Sequence, residues 1–541
     1  MSALKRLGAL GCVGLIAATC ACSSKSSGPV AGAPDVVIRV GSANAYTTLD
    51  PAHAYDNGAW TVYYNVYQRL LSYRPGANLP QEDAAKSCVY TDAGDLTYKC
   101  VLRPGMKFWN GDPLDAAAVK YSIDRVIKIN DQNGPVAILS STIKSVETQG
   151  SDTVLFHLKD PDATMPDRLS SGVASIIDPK TLPATTEAAP DFTGVVGSGR
   201  YKIDSVDFTG SGADKAPSEM KLSLNPNYQG SDTPPRNSGV DVKYFPDQTG
   251  TKKALDANQV DAVIADLNTS DVIHMQQTQQ LRSGLQVASG PGGGINMMAL
   301  NTTSGVFAKP AVRRAVAQLI DRAAIVGQAF NYTVSPAYTI VPSGITNATS
   351  AFFSDYGRQP TSATKVREQL AKAGVTQPIS FTFAYYSKGD PAIQREAEMV
   401  KQQLETGGLF KVTLRDYETY PKLSDAILKK PDFDAYMLTW YSDYLDIDDY
   451  VSPLAGPHNF VFNGYSVPAG LVASGLSQTK REDARKDYTQ IQQDVAKDVP
   501  LVPIWESQQY AAMQSDVTGV PLTMDTSGIQ RWWMIGKDST S

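Results

Sequence analysis

Histidine is nearly missing from this sequence of 541 residues, with four, and cysteine is scarce, with five. The imidazoles stand at His53, His157, His274 and His458, none of them paired at ligand spacing, so no metal site and no cofactor is expected. Basic charge is not in excess either. With 49 Lys+Arg against 55 Asp+Glu, the formal charge is −6, and no positive field exists to exchange counterions with nucleic acid. No Gly-x-Ser-x-Gly is present, and no Gly-Lys-Ser/Thr follows the glycine run from Gly290 to Gly294. The nucleophile elbow and the phosphate loop therefore drop out. Internal repeats are lacking. No apolar run reaches the ~20 residues a membrane span needs, and with 42% hydrophobic and 19% charged residues disorder is expected only at the ends. The length exceeds what one core supports, so two or three packed units are expected.

What is there begins with a leader. Lys5 and Arg6 precede about a dozen apolar or small residues, Leu7 to Thr19, too short to span a bilayer and suited to a cleaved targeting segment over residues 1–22. Thr19-Cys20-Ala21-Cys22-Ser23-Ser24 resembles a bacterial lipoprotein processing site, with Ala21 as the small residue before the modified Cys22; Cys20 is the competing position. Residues 23–34 then form a flexible tether. Of the remaining cysteines, Cys88 and Cys100 flank an Asp-Ala-Gly-Asp turn signal between two strand-like runs. On a hairpin they face each other, and outside the cytoplasm they are expected to form a disulfide.

The chain is organised around Phe433 to Asp449. Ala435 to Trp440 carries no charge and is bounded by polar residues, which predicts a strand buried on both faces; its exit is abruptly acidic. Ligands of open α/β sheets lie beyond the carboxyl ends of the strands, where Asp443 stands as an acceptor for a cationic donor. Residue chemistry alone leaves a turn former or helix cap equally open for it. Trp440-Tyr441-Ser442-Asp443-Tyr444 resembles the Trp-x-x-Asp segment of the extracytoplasmic peptide-binding proteins of ATP-binding cassette importers. The resemblance implies that Asp443 pairs with the ammonium of a bound peptide and that Trp440 walls a side-chain pocket. Leu96 to Arg125 resembles the same family more closely, through Arg103-Pro104-Gly105-Met106-Lys107-Phe108 and the Gly111-Asp112-Pro113-Leu114 lead into a helix capped by Asp115. Further similar segments are Leu49-Asp50-Pro51, Val195 to Lys202, Leu222 to Tyr228, Asp256 to Asp266, Leu300 to Ile325 and Val499 to Trp505.

What the resemblance implies is an α/β fold: a two-lobed, periplasmic-binding-protein-like clamp with an extra subdomain in the first lobe. Residues 35–75, 195–290 and 515–541 would form the core of lobe I, 76–194 the extra subdomain and 291–514 lobe II. It also implies ligand contacts from Tyr46, after the first strand, and from Tyr417. The helix-spaced Trp60, Tyr63, Tyr64 and Tyr67 read as core rather than as a stacking platform. The expected protein is no enzyme but a monomeric importer component, lipid-anchored on the outer face of the cytoplasmic membrane. It would capture a short peptide or peptide-like solute and pass it to a membrane permease. A nickel complex, an oligosaccharide or a sensing role stays open within the family, and no cation precedes Trp440 to hold a ligand carboxylate. A surface hydrolase would have only His458, near Asp448 and Asp449, as its base. Asp446, Asp448 and Asp449 read as a solvated turn in preference to a calcium site.

Overall fold

Two long strands, Leu285–Leu300 and Leu501–Gln514, pair antiparallel and run through the molecule. The computed structural model describes residues 34–538 except 231–232, 279–283, 388–389 and 430; the leader, Cys20, Cys22 and the tether through residue 33 lie outside the described residues. The pairing of the two strands slips between Pro291 and Ile295, at the triple glycine Gly292-Gly293-Gly294. A Cβ on Gly292 would stand 2.7 Å from the carbonyl oxygen of Ser507, so the close approach requires glycine.

On one side of this irregularity the pair is flanked in order by Ala262–Ile264, Val37–Ser42, Gly239–Tyr244, Ala216–Leu224 and Tyr201–Thr209. On the other side it is flanked by Ala435–Tyr441, Ile379–Tyr385 and Phe410–Asp416, with Val334–Pro336 alongside, giving an 11-stranded sheet. Each half has its own apolar core. Ile38, Val40, Val240 and Ile264 belong to the first, with Ala511 and Met513. Met297, Phe383, Val316, Val400 and Ile504 belong to the second. Lobe II was expected to end at 514; instead the return path changes lobes within the strand, near Glu506–Gln508, because its second half hydrogen-bonds to Ala262–Ile264.

The extra subdomain is a four-stranded antiparallel sheet, Ala85–Tyr90, Thr97–Leu102, Thr153–Leu158 and Ile143–Gln149 in that spatial order, covered by the helix Ala116–Ile129. Asp115 accepts a hydrogen bond from Ala118 N–H and caps that helix, which buries Val119, Ile123 and Val126. Cys88 and Cys100 stand opposite each other in the ladder and form a disulfide. Arg125 reaches back to lobe I, where its guanidinium grips the Asp50 carboxylate at 2.6 and 2.7 Å, with both side chains buried. The Leu49-Asp50-Pro51 turn and the extra subdomain are thereby fastened together. Among the described residues, no helix is long and apolar enough to cross a membrane.

Candidate functional site

Ala435–Tyr441 forms as expected, bonded antiparallel to Gly294–Leu300 and parallel to Ile379–Tyr385, its first four residues buried. Its exit delivers Tyr441, Ser442 and Asp443 to a cleft of about 500 Å³ between the lobes. The opposite wall comes from the helix Asn57–Val66, through Trp60 and Tyr64, from Asn44 beyond the strand Val37–Ser42 and from Asp266 beyond the strand Ala262–Ile264. Gly293, Ser507 and Thr526 also line the cleft, where the two long strands cross.

Asp443 is half-buried, and its carboxylate accepts a 2.8 Å hydrogen bond from the Tyr55 hydroxyl of lobe I. Among the described residues no lysine or arginine is ion-paired with it. Burial pushes its carboxyl up to about 7, partly offset by the Tyr55 hydrogen bond and the charge of Arg168. The backbone N–H of Asp443 donates to Asp449, whose own carboxyl is raised well above the usual range by burial and by the charge of Asp443.

Behind this site the acidic exit is not a solvated turn. Asp446, Asp448 and Asp449 are all buried. Arg481 holds Asp446 through two bonds of 2.6 and 2.8 Å, and Arg168 of the extra subdomain spans Asp162 at 3.0 Å and Asp448 at 3.7 Å. Asp167 receives the Tyr73 hydroxyl at 2.6 Å, and the same hydroxyl oxygen accepts from Leu445 N–H. Through Asp448 and Arg168 this stretch ties lobe II to the extra subdomain, while Asp446 is held by Arg481 of lobe II itself and Asp449 by the backbone of Asp443.

The other expected contacts fall elsewhere. Tyr46 is 4% exposed and packs edge-on against Tyr244 in the lobe I core, so it does not reach the cleft. Trp440 stacks on Phe460 and donates its indole N–H to Asp449 O; the neighbouring Tyr441 is the ring that lines the cleft. The Tyr417 hydroxyl donates to Asp432, which Arg415 also holds, and its ring packs on Phe433, away from the cleft lining. His458 is exposed, whereas the carboxylates of Asp448 and Asp449 are buried and take their hydrogen bonds from Ser452 and from the backbone of Asp443. That arrangement offers no acid–base pair.

The aromatic helix splits by face. Tyr63 and Tyr67 are core, at 0% and 2% exposure, while Trp60 and Tyr64, one turn apart, line the cleft. The reading of all four as core is corrected for those two. Helical periodicity does not separate the two pairs, since positions 60 and 67 lie within about 20° of each other around a helix; the surface each ring meets in the fold decides it. No pattern in the sequence pointed to Tyr55, which joins Asp443 across 388 positions.

Four likenesses bear on this geometry. The description "Bacterial extracellular solute-binding proteins, family 5 Middle" matches residues 80–461. The chain is similar to a protein of Escherichia coli strain K12 named "Probable D,D-dipeptide-binding periplasmic protein", with 27% identity over 514 residues, covering 91% of this chain and 93% of that one. It is also similar to a glutathione-binding protein of Salmonella paratyphi A, with 26% identity over 516 residues, covering 93% and 95% of the two chains. In fold it resembles a periplasmic binding protein of Helicobacter pylori in complex with the peptide STSA. There the TM-score is 0.73 and the identity 18%, with 93% of this chain and 98% of that one covered. The two-lobed architecture, the interlobe cleft and the match across most of the chain agree: this protein belongs to the bacterial extracellular solute-binding proteins of family 5.

Proposed function

We propose that the protein captures a short peptide or peptide-like amine in the interlobe cleft, with Asp443 pairing the ligand ammonium, and delivers it to the permease of an ATP-binding cassette importer. The observation that carries this reading is the Asp443 carboxyl, half-buried in the cleft and pushed up to about 7 by burial. A carboxylate removed from water is costly until a cation joins it, so a ligand bringing an ammonium is favoured over one that does not. Trp60, Tyr64 and Tyr441 supply aromatic walls for side chains, and the strands crossing at Gly293 supply backbone groups for a peptide main chain.

Two lobes joined by a pair of crossing strands suit closure about a hinge, which would bury the paired charge further. The protein acts in this reading as a monomeric binder with no catalytic step. The leader motif supports lipidation at Cys22 and residence on the outer face of the cytoplasmic membrane.

Native mass spectrometry of the purified mature chain tests this directly. A retained mass matching a short peptide or free amine is expected. Titration with Ala-Ala-Ala and its N-acetylated form should show binding that N-acetylation abolishes; equal affinity for the two would refute the role of Asp443.

A further inference from the structure

Folding brings to His53 the partners that its neighbours in sequence do not supply. Its Nδ1 lies 2.5 Å from Asp131 Oδ2 and 3.4 Å from Glu187 Oε2, and one donor atom from each of the three side chains falls within 4.8 Å of the other two. Among the described residues this is the one place where three side chains of metal-ligating type converge so closely.

The three come from separate parts of the chain, and one buried ion pair sets them all. His53 stands in the turn after Leu49-Asp50-Pro51, where Asp50 O accepts His53 N–H at 3.1 Å and the Asp50 carboxylate accepts Ala52 N–H at 3.0 Å. The same carboxylate takes Ala188 N–H at 2.8 Å on one side of Glu187, while its partner Arg125 donates to Thr186 O at 2.7 Å on the other. Arg125 belongs to the helix Ala116–Ile129, and Asp131 follows the end of that helix, past the left-handed Asn130. There Asn133 N–H occupies Asp131 Oδ1 at 2.9 Å, leaving Oδ2 to face the imidazole. Gly134 packs against the pair: a Cβ on it would stand 2.8 Å from Asp131 Oδ2 and 3.1 Å from His53 O. Donors fixed in this way are in place before an ion arrives.

The donor set fits one kind of ion. Two carboxylates facing one imidazole nitrogen bring two negative charges to a point where a proton on Nδ1 balances only one of them. A divalent cation balances both. One nitrogen and two carboxylate oxygens suit zinc, which takes three such protein ligands at about 2.0–2.2 Å and keeps a fourth position for water. Donor atoms of that tetrahedron lie ~3.4 Å apart. His53 and Glu187 already stand at this separation, and the contact of His53 with Asp131 has to open by about 1 Å as the ion replaces the proton between them. The side chains of His53 and Glu187 are 40% and 39% exposed, which leaves the fourth position within reach of water.

We propose that His53, Asp131 and Glu187 bind a zinc ion that ties the lobe I turn to the extra subdomain. The turn goes on to Tyr55, the partner of Asp443, so the ion anchors the segment that reaches the cleft, and its binding does not depend on what the cleft holds.

Calorimetry with zinc chloride on the mature chain, free of any histidine tag and stripped with EDTA, tests this. One zinc per chain is expected, with a thermal midpoint higher in zinc than in EDTA. His53→Gln and Glu187→Gln should each weaken binding by about tenfold or more, while His458→Gln, at an exposed imidazole, should leave it unchanged. No zinc bound, or the same affinity in His53→Gln, would overturn the inference. So would calcium bound as tightly as zinc, which would mark the carboxylates alone as the attraction. A thermal midpoint that responds to acidification of the metal-free chain and not to zinc would overturn it too, with a proton on His53 as the whole of the pairing.

Discussion

The affinity for a free amine should fall steeply as pH drops below 7, and most of that fall should be lost in Asp443→Asn. Burial pushes the Asp443 carboxyl up to about 7, against 3.8 for an ordinary aspartate. Below that value the group is protonated, and an incoming ammonium must first displace the proton. Affinity therefore falls by up to about tenfold for each pH unit below 7, or ~1.4 kcal/mol per unit. Above pH ~8 the peptide α-amine loses its own proton, so binding peaks between the two. At the peak, Asp443→Asn should cost ~2–5 kcal/mol, the range for removing one member of a desolvated charge pair. Asp448, raised by burial to about 6, titrates in the same region but is held behind the site by Arg168 and Ser452; its contribution remains in the variant and is subtracted. Calorimetry with Ala-Ala-Ala from pH 5 to 9, in two buffers of different ionisation enthalpy, reads both the affinity and the proton released. A flat profile for the wild-type chain, or the same slope in Asp443→Asn, would show that this carboxyl does not receive the amine.

Three further consequences concern the scaffold. Arg125→Ala leaves Asp50 buried without its cation and should destabilise the protein by ~3–5 kcal/mol in urea unfolding; a loss under 1 kcal/mol would mean that the pair contributes little. Several carboxyls are raised in the folded state, Asp443 to about 7, Asp448 to about 6 and Asp167 to about 8, the last by burial and then by the charge of Asp446. The native protein thus holds more protons than the unfolded chain from pH ~4 to 8, so stability is highest at the acid end of that window and declines as pH rises through it. The midpoint of thermal unfolding should be higher at pH 5 than at pH 8, and the reverse order would contradict the burial of these groups. Gly292→Ala forces a methyl against the Ser507 carbonyl and should cost ~1–3 kcal/mol, whereas a neutral result would show that the crossing strands have room to separate.

Local signals carried far because so much of this fold is local. A capped amphipathic helix at Ala116–Ile129, a strand at Ala435–Tyr441 and a hairpin pairing Cys88 with Cys100 each depend on residues close in sequence, and each stands within a residue of where the pattern put it. The helix Arg485–Asp498 begins only after Arg481, which lies in a turn and grips Asp446. The cleft was legible in part for the same reason. A short strand with an acidic exit announces Asp443, since only a neighbour in sequence is needed to recognise it. What that carboxylate meets is set by a residue 388 positions away, and nothing around Tyr55 marks it as the partner. The errors share this cause. Tyr46, Trp440 and Tyr417 take their expected cleft roles from the family resemblance, but which way an aromatic ring turns is decided by the surface that comes to face it: Tyr244 for Tyr46, Phe460 for Trp440, Asp432 and Phe433 for Tyr417. The acidic exit shows the strongest case. Read alone, Asp446, Asp448 and Asp449 have too much charge to be buried; Arg481 pairs with Asp446, Arg168 of the extra subdomain faces Asp448, and burial raises the carboxyl of Asp449 well above the usual range. Charge in a sequence therefore reports burial poorly wherever the neutralising partner comes from another part of the fold.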